Sequence, residues 1–282
     1  MDLTARRRFY AEEIQAVANI RNPSVVEALA AVAREQFLGP GPWTISGEGD
    51  FLQPPRQTAD DDPRHVYHNV AVAIDLGRRL FNGAPGVVGM AIDSLALKAG
   101  DRVLHLGCGT GYYTALIASC VGPHGHVVAI DVDESLAERA RVNLERMAWV
   151  DVRAGNGTES FGHTFDAVLV NAGVTHPLHH WIEALREDGR MVLPLTFSMA
   201  PTISKGPMLL LSRTTGSDDL LAKIIGYVAI YSALGIRDEA ANDQLGKALK
   251  ANPFPALKRF RRDPHEPSSS CWLHTTHGCL ST

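Results

Sequence analysis

An α/β fold, with a mostly parallel twisted sheet and helices on both of its faces, is what this sequence predicts, and three observations predict it. From Arg102 onward short apolar runs alternate with helical stretches, the texture of a sheet whose parallel neighbours are joined by helical crossovers. The first run passes straight into a glycine-rich turn, "VLHLGCGTGYYTALIA" (Val103–Ala118). The second, "HVVAID", ends on Asp131, 20 residues after Gly111, so its carboxylate falls at the sheet edge where open α/β sheets bind ligands.

Taken in order, residues 5–37 carry helical apolar spacing, and Pro23 after Asn22 marks a break with a second helix restarting on a first-turn proline. Residues 39–64, rich in glycine, proline and aspartate, read as a long surface loop that could control substrate access. Residues 66–98 look like two helices separated by the turn "NGAPG" (Asn82–Gly86). Strands are expected at 102–106, 126–131, 149–153, 165–170 and 189–194, with helices near 111–121, 134–147 and 176–187. Residues 207–213 and 224–231 look like an antiparallel pair closing the sheet, followed by a helix over 235–250. From Asn252 the chain is rich in proline and serine and reads as an arm lying on the core.

Composition narrows the class. Of 282 residues, 45% are hydrophobic and 21% charged, and the net charge is −4, an ordinary globular balance without a general attraction to nucleic acid. The cluster "KRFRR" (Lys258–Arg262) is a local exception and reads as a solvated face; RNA is a disfavoured partner. No apolar run is long enough for a bilayer, and the N-terminus lacks the apolar segment of a signal peptide; the cytoplasm is the expected compartment. Four cysteines, Cys108, Cys120, Cys271 and Cys279, are too unevenly placed for a disulfide framework.

A strand entering a glycine turn and then a helix brings backbone N–H groups and the helix dipole to a ligand. The dinucleotide fingerprint G-x-G-x-x-G would need glycine or alanine where Tyr112 or Thr114 stands, so a nicotinamide oxidoreductase is disfavoured. The spacing present is Gly107-x-Gly109-x-Gly111. It resembles the first motif of class I S-adenosylmethionine-dependent methyltransferases, in which Asp131 would accept hydrogen bonds from the ribose hydroxyls. Asn156, in "RAGNGTESFG", can offer both a donor and an acceptor to an adenine edge.

More of the chain resembles one family, the protein-L-isoaspartate O-methyltransferases. "SVVEALAAVAREQFLGP" is similar to that family's N-terminal helix and R-E-x-F turn, "LKAGDRVLHLGCGTGYYTALIA" to its first strand and helix, "VVAIDVDESLAERARVNLERM" to its second unit, and "FDAVLVNAGVTHPLHHWIEALREDGRMVLPL" to its fourth and fifth strands. The resemblance is clearest over residues 21–39 and 86–195. It implies a divergent Rossmann-like class I methyltransferase using S-adenosylmethionine. The expected layout is an N-terminal helical extension and access loop (1–100), a donor-binding core (101–250) and a C-terminal arm (251–282). The donor site would comprise His105, Gly107, Cys108, Gly109, Thr110, Gly111, Tyr112, Asp131, Val132, Asn156, Gly157 and Asn171.

Three departures bear on the acceptor. The family carries a T-I-S hydroxyl cluster before the first strand, and the place of its serine falls on Gly83; the literal Thr44-Ile45-Ser46 lies about 40 residues too early. His105 stands where a carboxylate commonly precedes the glycine loop, and residues from 195 onward do not resemble the family. The first expectation is methylation of a protein or peptide carboxylate. Methylation of a small-molecule O, N or C nucleophile, or donor binding without catalysis, stays open.

A carboxylate acceptor needs no general base, whereas an amine or phenol profits from one of near-neutral pKa. His176, after the fourth strand, is the leading candidate to face the methyl group, with Asn171 beside it. His179 and His180 follow closely, and three histidines can also hold a metal, which the spacing alone does not favour. Tyr67 and His68 could line an acceptor pocket or pack as a structural face. In the tail, Cys271, His274, His277 and Cys279 are zinc-ligand types at unusually tight spacing. A docked arm with Trp272 and Leu273 over an apolar groove is the preferred reading, and no metal is expected.

Overall fold

The computed structural model describes residues 2–47, 54–198 and 203–282, and they divide into two compact units. The first comprises residues 1–100 and 108–154, the second residues 101–107 and 155–282.

The first unit opens with helices α1 (Leu3–Ala18) and α2 (Pro23–Ala31), capped by the side chains of Asp2 and Asn22, the latter with Pro23 in the first turn. Strands β1 (Thr44–Gly47), β2 (Arg56–Gln57), β3 (Val70–Asp75) and β4 (Leu80–Phe81) then form a small antiparallel sheet in the order β2-β1-β3-β4. This corrects the helix expected just after residue 66. "VAVAID" alternates with period two and is rich in valine, the pattern of a half-buried strand, and β1 supplies its partner through Ile45 opposite Val72. Part of the loop expected at 39–64 is therefore sheet; residues 48–53 of that loop lie outside the described residues. Helix α3 (Pro85–Ser94) starts within the Asn82–Gly86 stretch, with Ala84 at its N-cap and Pro85 in its first turn.

Strand β5 (Arg102–Leu106) belongs to the second unit. Helix α4 (Tyr112–Val121), strand β6 (His126–Asp131), helix α5 (Glu134–Asn143) and strand β7 (Val150–Ala154) return to the first, where β6 and β7 pair in parallel. The N-terminal helices pack on α4 within this unit. Tyr10 and Tyr112 are buried with their hydroxyls 3.1 Å apart, and Phe37 packs edge-on against Tyr112. The compact units thus cut across the segments 1–100, 101–250 and 251–282.

The second unit continues with β8 (Phe165–Val170), the short helix α6 (His179–Glu183), β9 (Leu185–Pro194), β10 (Ile203–Arg213), β11 (Leu220–Tyr231), α7 (Glu239–Ala251), β12 (Arg259–Arg261), β13 (Cys271–Thr275) and β14 (Gly278–Ser281). Its strands lie in the order β13-β14-β12-β11-β10-β9-β8-β5. The pairs β5–β8 and β8–β9 are parallel, and every pair from β9 outward is antiparallel. The sheet is therefore mixed: its antiparallel part extends beyond the single closing pair β10–β11, because the proline-rich arm contributes three strands of its own. Phe260 on β12, opposite Leu220 and Leu280, is buried and explains why that arm pairs. Strand β8 and its neighbours bury Phe165, Val168, Leu185, Val192 and Leu193 completely, as continuous apolar runs in parallel strands require.

Candidate active site

Within the first unit the glycine loop meets the end of β6. Gly109 and Gly111 have φ of +55° and +93°, a region that side-chain-bearing residues enter at a cost. Gly111 also sits against α5: a Cβ there would lie 2.8 Å from Leu144 Cδ1 and 3.4 Å from Ala140 Cα. Gly111→Ala is accordingly expected to cost about 1–3 kcal/mol and to weaken donor binding; unchanged melting and titration would show that the loop's close approach does not matter.

The Asp131 carboxylate is buried. Its Oδ2 accepts the Gly109 N–H at 2.7 Å and its Oδ1 the Asp133 N–H at 3.0 Å. Burial pushes its pKa up, against the lowering effect of those two bonds. Two carboxylate oxygens offer about four lone-pair sites, so capacity for two further donors remains, which a ribose diol supplies. Thr110 Oγ1 is also buried without a hydrogen-bond partner among the described residues. Val132 is exposed beside the carboxylate. These features fit a nucleoside-bearing ligand. Tyr112 is fully buried, its phenol bonded to Tyr10, and it closes the position where a dinucleotide loop needs a small residue.

Cys108 is buried, which raises the pKa of its thiol, so it is no nucleophile. At the turn before α3, the Gly83 carbonyl accepts the Tyr113 hydroxyl at 2.9 Å and Arg34 Nη2 at 3.4 Å. Gly83 itself carries no side-chain hydroxyl, and the hydroxyl at this turn is that of Tyr113. The Thr44–Ser46 segment folds back as β1 against β3, anchored by buried Ile45. Arg34, unremarked in the sequence apart from the R-E-x-F turn, is completely buried. Its guanidinium donates to the carbonyls of Val66, His68 and Val70 and to Asn82 Oδ1. Tyr67 is structural: it is buried edge-on against Tyr10, and its hydroxyl donates to Glu35 while accepting from Arg7 Nε. The His68 side chain is exposed.

The second unit holds the other expected residues. Gly107 has φ +78°, and a Cβ on it would approach the Asn171 carbonyl oxygen to 3.0 Å; Asn171 Nδ2 in turn donates to the Gly107 carbonyl at 3.4 Å. Gly157 abuts Leu106, and its carbonyl takes the Trp181 indole N–H at 2.7 Å. Asn156 is exposed, its Oδ1 accepting from Thr158 N and Oγ1.

His105 lies on β5 opposite Leu169, wholly buried, and burial pushes its pKa down to about 3. His176 is nearly buried, 2.9 Å by Nδ1 from Thr175 Oγ1 and stacked on His277 with ring centroids 3.5 Å apart. Burial, then the His277 ring, pushes its pKa down to about 4. Both rings are neutral in the folded chain near pH 7. Because each takes up its proton in the unfolded chain near 6.5 and in the folded chain only below about 4, stability is fully present above pH 6.5 and falls as pH drops through that window. Melting temperature should therefore fall from pH 6.5 to pH 4, less steeply in His105→Asn; a flat profile would contradict the burial of neutral imidazole.

The three close histidines do not converge. His179 Nε2 pairs with Glu183 and its Nδ1 lies 2.9 Å from Arg262 Nη2, whereas His180 Nε2 meets the Gly157 carbonyl at 2.8 Å. In the basic cluster, Arg261 pairs with Asp263 and Arg259 with Asp219.

A strand, a left-handed glycine loop and a helix, followed by a strand ending on a buried carboxylate with acceptor capacity to spare, define the Rossmann-like methyltransferase class. Comparison with known proteins narrows this. The family model for protein-L-isoaspartate(D-aspartate) O-methyltransferase matches residues 51–205. The protein-L-isoaspartate O-methyltransferase of Methanothrix thermoacetophila is 32% identical over 186 residues, 64% of this chain and 78% of the relative. Protein-L-isoaspartate O-methyltransferase 2 of Archaeoglobus fulgidus is 30% identical over 69% of this chain and 80% of its own. Among solved structures, a protein-L-isoaspartate O-methyltransferase covers 89% of this chain and 72% of its own with TM-score 0.60 and 21% identity. A putative family member from Plasmodium falciparum, in complex with S-adenosyl-L-homocysteine, covers 80% and 97% with TM-score 0.59 and 16% identity; these two speak to the fold.

The chain belongs to the protein-L-isoaspartate(D-aspartate) O-methyltransferase family and is an S-adenosylmethionine-dependent methyltransferase. No helix among the described residues is long and apolar enough to cross a membrane.

Proposed function

We propose that this enzyme methylates a carboxylate presented by a protein or peptide, forming a methyl ester. The observation that carries the acceptor class is the setting of His176, the expected general base: it is nearly buried, its Nδ1 lies 2.9 Å from Thr175 Oγ1 and its ring is stacked on His277, surroundings that disfavour its taking up a proton. A base of pKa about 4 is a poor match to an amine or phenol, which calls for a general base near the working pH, whereas a carboxylate arrives already ionised and needs none. The relatives' name, protein-L-isoaspartate O-methyltransferase, supports the same class.

The donor supplies a methyl group on a sulfonium, open to in-line displacement. Asp131 accepts the ribose hydroxyls, and the loop N–H groups hold the ligand in one orientation, so that catalysis is mainly positioning and exclusion of water. A neutral His105 does not oppose the donor's positive charge. Asn171 and His176, following β8, are the residues we assign to the acceptor side. At the place of the family's serine, Gly83 has no side chain and the nearby Tyr113 hydroxyl is engaged by the Gly83 carbonyl, which favours a broader or different carboxylate than the isoaspartyl group.

The test is transfer of radiolabelled methyl to peptides bearing aspartyl, isoaspartyl and C-terminal carboxylates, scored by release of methanol in mild base. Base-labile label is the expected result. Label that survives base would place the methyl on nitrogen, carbon or a phenol and overturn the carboxylate reading.

A further inference from the structure

The C-terminal arm gathers four metal-ligating side chains. His265, in the loop before β13, Cys271 and His274 on β13, and Cys279 on β14 each direct one ligand atom into a common space, all four atoms lying within 4.8 Å of one another. The hairpin register sets His274 directly opposite Cys279, and the loop from Asp263 brings the fourth ligand over the pair. We propose that His265, Cys271, His274 and Cys279 form a tetrahedral site for a zinc ion that pins this hairpin.

Donor set and spacing agree. Two thiolates with two imidazoles form a closed structural zinc site. Bonds of about 2.3 Å to sulfur and 2.0–2.1 Å to nitrogen at the tetrahedral angle put such atoms about 3.5 Å apart, and Cys271 Sγ lies 3.6 Å from His265 Nε2. The surrounding groups prepare the ligands. His265 Nδ1 donates to the Asp263 carbonyl at 2.8 Å, which leaves the Nε2 lone pair facing the cluster, the usual orientation of a metal-bound histidine. Cys271 Sγ accepts the Ser268 N–H at 3.3 Å, a bond that favours the thiolate. His274 Nδ1 is buried and has no hydrogen-bond partner among the described residues, a cost that a metal bond would remove.

The hairpin also needs an anchor. β13 is the outermost strand of its sheet, and a hairpin of two strands only five and four residues long is marginal by itself. Zinc would displace two thiol protons to solvent and form two Zn–S and two Zn–N bonds, fixing the turn that carries His277 onto the His176 ring. His277 is not a ligand, although it shares the motif; its Nε2 faces Asp238 at 3.5 Å. Spacing within "CWLHTTHGC" alone favours a docked arm, and Leu273 is indeed buried, but only the fold adds His265 from six residues upstream of Cys271.

Elemental analysis and native mass spectrometry of the full, tag-free chain purified under reductant with zinc should find one zinc per chain, lost in Cys271→Ser and in Cys279→Ser and retained in His277→Ala. Should the cysteine variants fail to fold, the wild-type chain stripped and reloaded with Co(II) reports by itself: tetrahedral d–d bands with thiolate-to-cobalt charge transfer are expected. A metal-free chain after zinc incubation, an octahedral cobalt spectrum without charge transfer, full zinc retention in a folded cysteine variant, or a chain lighter by two hydrogens from a Cys271–Cys279 disulfide would each overturn the proposal.

Discussion

Replacing Asp131 by alanine is expected to weaken donor binding by at least about 100-fold and to lower methyl transfer in step. Two ribose hydroxyls bonded to a buried carboxylate contribute about 1.5–3 kcal/mol each, and 3 kcal/mol is about 100-fold in affinity. The carboxylate also ties the loop to the strand end through Gly109 N–H, so the variant loses preorganisation as well as contacts. Asp131→Asn keeps an acceptor but loses the charge, and should fall between the two. Titration with S-adenosylhomocysteine measures this; affinity in Asp131→Ala within a few-fold of wild type would remove the residue from the site.

The largest effect on stability is expected for Arg34→Ala. The guanidinium satisfies the carbonyls of Val66, His68 and Val70 and the Asn82 side chain from a fully buried position, and it lies over the Tyr112 ring at 5.6 Å. Its removal strands several buried acceptors at once, for a cost of about 3–5 kcal/mol, or a drop in Tm of about 10 °C. Arg34→Lys should recover little, because one ammonium cannot reach acceptors arranged for a planar fork. A change in Tm of less than about 2 °C in the alanine variant would show that these carbonyls find other partners.

The central strands could be read from the sequence because they are continuous apolar runs closed by turns. β5, β6 and β8 fall at 102–106, 126–131 and 165–170, as expected. The segment after residue 66 was legible in principle, since "VAVAID" alternates, but its strand identity depends on β1, whose pairing is non-local. Helix α6 is shorter than the expected 176–187 because Pro177 and the early start of β9 at Leu185 confine it. The strands of the arm are hidden by proline and serine, and only buried Phe260 betrays them.

Among site residues, the glycines and Asp131 declare themselves by position after strands, a local signal. Arg34, His277 and His265 do not. The role of each depends on a partner brought by the fold: carbonyls 32–36 residues ahead of Arg34, the His176 ring for His277, and a hairpin register for His265. Charge or residue type cannot announce such roles before the chain is folded.

The central claim is that the Gly107–Gly111 loop serves a methyl donor and not a dinucleotide. Calorimetric titration of the wild-type chain with S-adenosylhomocysteine and NAD in parallel tests it most directly. Micromolar or tighter binding of the sulfur ligand with no heat from NAD is the predicted result. Saturable binding of NAD, or no binding of S-adenosylhomocysteine by folded protein, would contradict it.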